Sequence, residues 1–363
     1  MTETTPPKLS VARRLLLNLA TLAGGTVVAL ALAEGLLRAF HLAPTNGVFT
    51  VTEKEFRRVP GMYGPGQDLI ETHLRALPHH VTIDSLGYRG ADFPREKPAH
   101  EVRVLFLGDS FAYGDLVDNE KTLPAQLETM LHSRCSNVRV INGGLHGTTV
   151  TDQIKLARRA LTLKPDFVLL MFYENDVNDI AQSGQWGQLA ANRAAKSRFP
   201  LSWLYPILRR TALWNFALVS VMVHKSQSRQ QVFVHDVAPI NATAAQNRLR
   251  AIYLDTLRQF RAEMAAASIP MLLLTYPADQ TLFHGSQADW LIPEAQRLGI
   301  ATLDGREPLV ASKLSVKDLY LLPYDRHASP AGYRIMAQFL ADRLPHYLPQ
   351  LNHCSTAETA HNQ

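Results

Sequence analysis

The stretch VRVLFLGDSFAYG, residues 102–114, joins an apolar strand pattern to a turn and the start of a helix. Positions 102–107 form a short run of β-branched and apolar residues with one arginine, which predicts a strand. Gly108, Asp109 and Ser110 follow, and residues of these types commonly form turns or cap helices. Ser110 is therefore either the polar cap of the next helix or a nucleophile whose hydroxyl points into a cleft.

The alternation of strand and helix that begins there continues along the chain. Further strand patterns lie at 138–143, 166–173, 270–277 and 300–305. Apolar residues at helical spacing lie at 122–132, 150–161, about 247–267, 287–299 and 329–344. Strands that alternate with helices at this spacing predict right-handed crossovers and a parallel sheet.

The N-terminal residues predict a membrane anchor. Positive side chains precede residues 15–33, which carry no charge. The length of this segment is close to the ~20 residues that a membrane-spanning helix needs. The positive flank, residues 1–14, is expected to stay cytoplasmic, which sends the rest of the chain across the membrane.

A cleaved signal peptide is the alternative to a retained anchor, because ALALA before Glu34 resembles a signal-peptidase site. The apolar pattern continues beyond that site through Leu36, Leu37 and Phe40. This favours a retained transmembrane anchor over residues 15–40. A buried core helix is disfavoured because the segment has no polar face.

The rest of the chain divides by composition. An extended lead-in rich in Pro, Gly and charge is predicted, with strand-like pieces GVFTV and HVTI, followed by the main α/β domain and a tail. The alternation breaks in an apolar, aromatic stretch, which predicts a helical insertion that covers the cleft, lies at the membrane interface or packs on the sheet. The predicted ranges are 41–100 for the lead-in, 101–348 for the domain, about 180–247 for the insertion and 349–363 for the tail.

Composition and motifs exclude several functional classes. The net charge is only +5 and the basic residues are scattered, so nucleic-acid binding is not predicted. Two cysteines without CxxC spacing do not indicate a thiolate metal site, while a disulfide between them stays open. The zinc-protease, dinucleotide and P-loop motifs are absent from the sequence, and no metal site is predicted.

Polar residues follow the predicted strands where parallel strands place their ligands, at the carboxyl edge of the sheet. Ser110 is the candidate nucleophile, with His327 as its general base and Asp325 as the carboxylate that orients the histidine. The N–H groups of Ser110 and Gly147 and the side-chain amide of Asn175 could stabilise an oxyanion.

Each of these residues also has a purely structural interpretation. Ser110 could cap a helix, Gly147 could serve a turn, and Asn175 could bridge loop carbonyls. His327 could be an exposed histidine and Asp325 a turn residue. The catalytic interpretation is preferred because the structural one requires these residues to meet at one edge by coincidence. His146 is expected to be a loop residue rather than a ligand.

The ordered blocks GDS, NGGLHG, ND and DRH resemble those of the SGNH/GDSL hydrolase superfamily, over roughly residues 102–345. IDSLGYRG in the lead-in, AEGLLR at the end of the anchor and GDSFAYG resemble membrane-anchored bacterial members of poorly defined substrate. The resemblance implies a flavodoxin-like three-layer α/β sandwich with a central parallel sheet and no cofactor. It also implies Ser110 as nucleophile, His327 as base, and an oxyanion hole of Ser110, Gly147 and Asn175.

Two features depart from the pattern of the superfamily. Tyr173 stands where its third block usually has glycine, and Glu174 follows, so crowding or added negative charge near the cleft is expected. The carboxylate of the last block usually lies three residues before the histidine, but Asp325 lies two before and Tyr324 takes the usual place. Residues expected to support the site from behind are Asp109, Asn142, Glu174 and Asp176.

These expectations lead to one principal functional hypothesis and two alternatives. The chain is expected to be a serine ester hydrolase that forms an acyl-enzyme on a small acyl ester, with O-acetylated cell-surface carbohydrate as the expected substrate. An O-acyltransferase that modifies envelope polysaccharide with the same residues is the first alternative, and a non-catalytic, membrane-tethered binding module is the second. The expected location is the bacterial inner membrane, as a single-pass protein with a periplasmic or extracellular domain.

Overall fold

The computed structural model describes residues 10–40, 42–43, 65–71, 79–182, 204–208, 210–217, 220, 244–322 and 325–352. The strands are β1 (Gln67–Glu71), β2 (His79–Ile83), β3 (Val102–Leu107), β4 (Val138–Asn142), β5 (Phe167–Tyr173), β6 (Met271–Tyr276) and β7 (Ala301–Asp304). The α-helices of the described residues include α1 (Val11–Ala39), α2 (Ser110–Tyr113), α3 (Leu123–His132), α4 (Val150–Ala160), α5 (Asp176–Asp179), α6 (Tyr205–Leu208), α7 (Ala244–Ala266), α8 (Gln287–Arg297), α9 (Arg306–Ala311), α10 (Val316–Leu319) and α11 (Pro330–Tyr347).

Five parallel strands form the central sheet in the order β4-β3-β5-β6-β7. Numbered within the sheet, this is the 2-1-3-4-5 order of flavodoxin-like folds. In the register, Leu105 lies beside Ile141 of β4 on one side and Val168 of β5 on the other. The sequence prediction of a parallel sheet is confirmed.

Helices cover both faces of this sheet, because side chains of consecutive strand residues point to opposite sides. In β3, Leu105 and Leu107 belong to the core under α4, α7 and α8, whereas Val104 and Phe106 belong to the core under α3 and α11. Nearly every strand residue of β3, β5 and β6 is buried, which explains the continuous apolar runs in the sequence. The three-layer α/β arrangement is therefore confirmed.

The bounds of the predicted strands and helices of the main domain agree with the sequence patterns to within a few residues, and the structure adds short helices that the patterns did not predict, among them α9 and α10. Helix α7 begins at Ala244, inside the range predicted for the insertion. In the lead-in, β1 and β2 pair antiparallel, and the predicted strand piece HVTI lies within β2. The other predicted piece, GVFTV at 47–51, lies outside the described residues.

Helix α1 is long and apolar enough to cross a membrane. It has 29 residues, a mean hydropathy of 2.0 over its most apolar window, and no buried side chains within that window. It begins at Val11, earlier than the predicted start of the anchor, so that Arg13 and Arg14 lie in its first turn. The structure does not support a buried core helix, because no residue of α1 is buried.

The end of α1 is bonded to the described part of the insertion. The Glu34 carboxylate accepts hydrogen bonds from the amides of Ala212 (2.9 Å) and Leu213 (2.8 Å), at the start of the helical residues 212–217. Arg38 pairs with Glu34 and donates to the carbonyl of Arg210 at 2.8 Å. An acidic side chain at a helix N-terminus stabilises the exposed N–H groups there. Glu34 therefore ties the insertion to the helix that precedes the domain.

Replacing Glu34 by glutamine should loosen this attachment, because the amide bonds the Ala212 and Leu213 N–H groups more weakly than the carboxylate does. We expect faster trypsin cleavage after Arg210 in full-length Glu34→Gln protein in detergent micelles, by about fivefold at a loss of about 1 kcal/mol. Glu120→Gln removes an exposed carboxylate elsewhere and is the control. Equal cleavage rates in all three proteins would contradict this role of Glu34.

The loop after β4 packs directly on the backbone of α2. A Cβ atom added at Gly144 would lie 2.5 Å from the carbonyl carbon of Ala112 and closer still to the amide of Tyr113. The Leu145 amide donates to the carbonyl of Gly108 at 3.1 Å, and the Thr148 hydroxyl donates to the same oxygen at 3.0 Å. Only glycine at position 144 permits this approach, which brings the loop beside Ser110.

Gly144→Ala should therefore separate the loop from α2. We expect the free energy of unfolding to fall by about 1–3 kcal/mol, as for other overpacked interior sites, measured by denaturant unfolding. Gly35→Ala is the matched control, because a Cβ at that helical position meets no atom within 4 Å. If Gly144→Ala has the same free energy of unfolding as the unchanged protein, the loop and α2 can separate at no cost in stability, which contradicts the prediction.

Candidate active site

The turn from β3 into α2 presents Ser110. Asp109 is the N-cap of α2, and its carboxylate accepts a hydrogen bond from the Phe111 amide at 2.9 Å. Ser110 is the first residue of the helix and is partly exposed, while its neighbours on both sides are buried. The capping role that the sequence left open for Ser110 is thus taken by Asp109, and the serine hydroxyl is left for another partner.

That partner is His327, which arrives from the loop before α11. The Ser110 Oγ and His327 Nε2 atoms are 2.8 Å apart, although 217 residues separate them in the chain. On the other side of the ring, His327 Nδ1 lies 2.5 Å from Asp325 Oδ1. The structure thus brings the predicted nucleophile, base and carboxylate into one hydrogen-bonded chain.

The short spacing between Asp325 and His327 is compatible with this geometry because one carboxylate oxygen serves two donors. Asp325 Oδ1 also accepts from the backbone amide of His327 at 2.8 Å. This is an Asx turn, in which an aspartate side chain accepts from the backbone N–H two residues further on. Tyr324, which stands at the usual position of the carboxylate in the superfamily, lies outside the described residues.

The charge of His327 is set by opposing effects. Burial by itself disfavours the imidazolium form, but the attraction of the bonded Asp325 carboxylate and of two more distant carboxylates, Asp115 and Asp109, outweighs it. The pKa of His327 rises to about 9 as a result. Burial pushes the pKa of Asp325 upward, yet the pairing with His327 holds it below its ordinary value.

The two other predicted oxyanion donors lie on loops near this turn. Gly147 has a positive φ of 62° and precedes Thr148, whose hydroxyl is bonded to Gly108 in the nucleophile turn. Asn175 donates one amide hydrogen to Asp179 at 2.9 Å, and its amide nitrogen carries a second hydrogen that a ligand could accept. Their role as oxyanion donors stays a prediction.

Three of the residues expected behind the site are buried near it. Asn142 donates to the Tyr113 carbonyl and accepts from the Gly144 amide, both at 3.1 Å, and so links α2 to the following loop. Asp109 and Asp176 are buried, and burial raises the pKa of Asp109 to about 6 and that of Asp176 well above its ordinary range. The mutual repulsion of these two carboxylates adds to the rise for Asp176.

The two residues that depart from the superfamily pattern at the end of β5, Tyr173 and Glu174, make different contacts. The Tyr173 ring stacks on Phe111, with centroids 3.9 Å apart, and so fills space beside the nucleophile. Glu174 is buried and accepts from the Ala278 amide at 3.2 Å and from the Thr281 hydroxyl. Its carboxylate therefore holds the loop after β6, and among the described residues it has no hydrogen bond to the serine, histidine or amide of the site.

Asp115 and His146 form a second pair that sequence reasoning did not find. Asp115 Oδ2 lies 2.9 Å from His146 Nδ1 and 3.8 Å from His327 Nε2. The sequence suggested only a loop role for His146 and did not single out Asp115. In the sequence, the position of Asp115 directly after Gly114, the C-cap of α2, was the one available signal.

Within the described part of the chain, no cluster of three or more side chains could hold a metal ion.

Comparisons with known proteins show structural similarity alone. No family model and no curated protein matches the chain. A solved structure described as a lipolytic protein of the G-D-S-L family, from Desulfitobacterium hafniense DCB-2, is 16% identical over 67% of this chain and 99% of its own, with a TM-score of 0.40. A mutant acetylxylan esterase from Geobacillus stearothermophilus is 19% identical over 70% and 96% of the two chains, with a TM-score of 0.40. An alpha/beta hydrolase from the metagenome of Lake Arreo is 17% identical over 70% and 97%, also at 0.40.

The pH dependence of any reaction that uses His327 as a base should reflect its raised pKa. Because the imidazole must be neutral to accept a proton, kcat/KM for p-nitrophenyl acetate should rise with pH and reach half its maximum near pH 9. Asp325→Asn should lower the plateau about 100-fold or more and move the half-maximal pH downward.

Asp279→Asn is the control for this experiment, since that carboxylate bonds to Arg326 rather than to the histidine. It should leave the half-maximal pH near that of the unchanged protein. A profile that is flat from pH 6 to pH 10 in all three proteins would contradict the role of His327 as base.

Proposed function

We propose that this protein is a serine ester hydrolase of the SGNH/GDSL type that works through an acyl-enzyme on Ser110. The observation that carries the proposal is the contact of 2.8 Å between Ser110 Oγ and His327 Nε2, with Asp325 bonded to the far side of the imidazole. A serine hydroxyl becomes an effective nucleophile when a base within hydrogen-bond reach takes its proton.

In the first half of the proposed reaction, Ser110 Oγ attacks the ester carbonyl carbon and its proton passes to His327 Nε2. The oxyanion is stabilised by the amides of Ser110 and Gly147 and by the side chain of Asn175. When the tetrahedral intermediate collapses, the bond to the alcohol oxygen breaks and the imidazolium gives its proton to that oxygen. The acyl group remains on Ser110.

In the second half, water attacks the acyl carbon and gives a proton to the same nitrogen. The bond to Ser110 Oγ then breaks, Oγ recovers its proton from His327, and the carboxylic acid leaves. Asp325 keeps the imidazole oriented and stabilises the imidazolium in both halves.

The proposed location follows from α1 and its flanks. A helix of this length and hydropathy, with positive residues at its N-terminal end, suits a single span of the bacterial inner membrane with the domain on the periplasmic or extracellular side. Cell-surface carbohydrate is the acyl carrier that an enzyme in that position would meet, and O-acetyl groups on it are the proposed substrate.

Of the two alternative functions, the non-catalytic module is disfavoured because the Ser110 hydroxyl lies within hydrogen-bond reach of its base. The O-acyltransferase hypothesis uses the same residues and differs only in the acceptor of the acyl group. Transfer to an oligosaccharide, compared with release of acetate to water, separates it from hydrolysis.

Labelling with a fluorophosphonate probe tests the nucleophile. We expect the full-length protein in micelles to be labelled at Ser110, and Ser110→Ala to be labelled at least about 100-fold more slowly. Ser133→Ala removes an exposed serine hydroxyl from the end of α3 and should label like the unchanged protein. If the unchanged protein labels no faster than Ser110→Ala, the proposed function is wrong. Acetate release from acetylated oligosaccharides then defines the substrate.

A further inference from the structure

A second carboxylate faces the reactive nitrogen of His327. Asp115 Oδ2 is 3.8 Å from His327 Nε2, the atom that also contacts Ser110 Oγ at 2.8 Å. Asp325 occupies the opposite nitrogen of the ring. The proton-transferring edge of the imidazole thus lies between the nucleophile and a carboxylate for which the proposed triad has no use.

Asp115 is held in this place by His146. The same Oδ2 atom of Asp115 lies 2.9 Å from His146 Nδ1, and the His146 ring packs against the ring of Tyr113 with centroids 4.3 Å apart. The side chains of Asp115 and His146 are 14% and 20% exposed, so that both are confined yet partly accessible to solvent. His146 precedes Gly147, one of the predicted oxyanion donors, on the loop that Gly144 packs against α2.

In the second half-reaction, the Asp115 carboxylate can accept a hydrogen bond from the attacking water. Attacking water must donate one hydrogen to His327 Nε2, and it has a second hydrogen that needs an acceptor. An oxygen placed about 2.8 Å from both Nε2 and Asp115 Oδ2 is geometrically allowed, since those two atoms are only 3.8 Å apart. A monohydric alcohol has one hydroxyl hydrogen, which goes to Nε2, and would turn its alkyl group toward the carboxylate.

We propose that Asp115, held by His146, is a positioning residue for the water that attacks the acyl-enzyme on Ser110, and that it thereby favours hydrolysis over transfer to a monohydric alcohol. The inference rests on the proposed function, because it concerns the second half of that reaction. In this step the water oxygen forms the bond to the acyl carbon, one proton passes to His327 Nε2, and the bond to Ser110 Oγ breaks as Oγ takes that proton. Asp115 accepts a hydrogen bond and no proton.

The experiment divides the acyl-enzyme between two acceptors. Full-length protein in micelles is given p-nitrophenyl acetate with and without methanol, and the initial burst of p-nitrophenol, the steady rate and the ratio of methyl acetate to acetate are measured. The burst reports acylation, while the steady rate reports deacylation whenever a burst is seen.

Asp115→Ala removes the acceptor for the second hydrogen of water. We expect the steady rate of hydrolysis to fall about 10- to 100-fold, the burst rate to change by less than about threefold, and the ratio of methyl acetate to acetate to rise about tenfold. Asp115→Asn keeps a weaker acceptor oxygen and should recover part of the hydrolysis. Glu120→Gln, which removes an exposed carboxylate five residues further on, should match the unchanged protein.

A pH profile adds a readout that a purely structural role would not move. The carboxylates that bear on His327 are Asp325, Asp115 and Asp109, and each favours the imidazolium. Asp115→Asn leaves the other two in place, so the half-maximal pH of kcat/KM should move below its value in the unchanged protein without reaching the ordinary range of histidine.

The outcomes separate this inference from the proposed function. If Asp115→Ala and Asp115→Asn slow the burst and the steady rate equally, or leave the ratio of the two products unchanged, the positioning role is overturned while labelling of Ser110 still stands. If the unchanged protein shows neither labelling nor esterase activity, the proposed function itself fails. Melting curves identify a variant that does not fold, in which case Asp115→Asn decides the result.

Discussion

The hydrogen bond from the Phe111 amide to the buried Asp109 carboxylate is the contact on which the rest of the site depends. At the first turn of a helix, a serine hydroxyl readily accepts a backbone N–H and is then directed toward its own backbone. Because Asp109 takes that N–H, the Ser110 hydroxyl can reach His327 instead. The Asp109 carboxylate is buried as a result, which disfavours its ionised form. Burial raises the pKa of Asp109 to about 6. Local capping and long-range chemistry are thus divided between two adjacent residues.

Close backbone packing brings the loops of the site together at the carboxyl edge of the sheet. A Cβ at Gly108 would lie 2.7 Å from that of Ala112, and Gly144 allows the next loop to approach α2. The site that results is acidic. The carboxylates of Asp325, Asp115 and Asp109 favour the imidazolium form of His327, so that the imidazole would become neutral, as a general base must be, only at alkaline pH.

Much of this arrangement could be predicted from the sequence because it depends on local pattern. The strand and helix periodicities predicted the parallel sheet, and the order of the sheet places Ser110, Gly147 and Asn175 at one edge. The direction of the Glu174 side chain could not be predicted, since the groups that donate hydrogen bonds to it lie on a loop about a hundred residues away. The pairing of Asp115 with His146 was missed for the same reason, because no sequence spacing connects these residues.

The amino-acid sequence alone was enough to predict the fold class, the N-terminal apolar helix and the candidate residues for ester hydrolysis. These depend on periodicity and residue type, which are properties of short segments. Three features became visible only in the folded chain. Asp109 caps the helix, one oxygen of Asp325 reaches both the backbone and the ring of His327, and Asp115 faces the Nε2 side of the imidazole. Those outcomes depend on distances between segments far apart in the chain, which the packing of helices on both faces of the sheet sets.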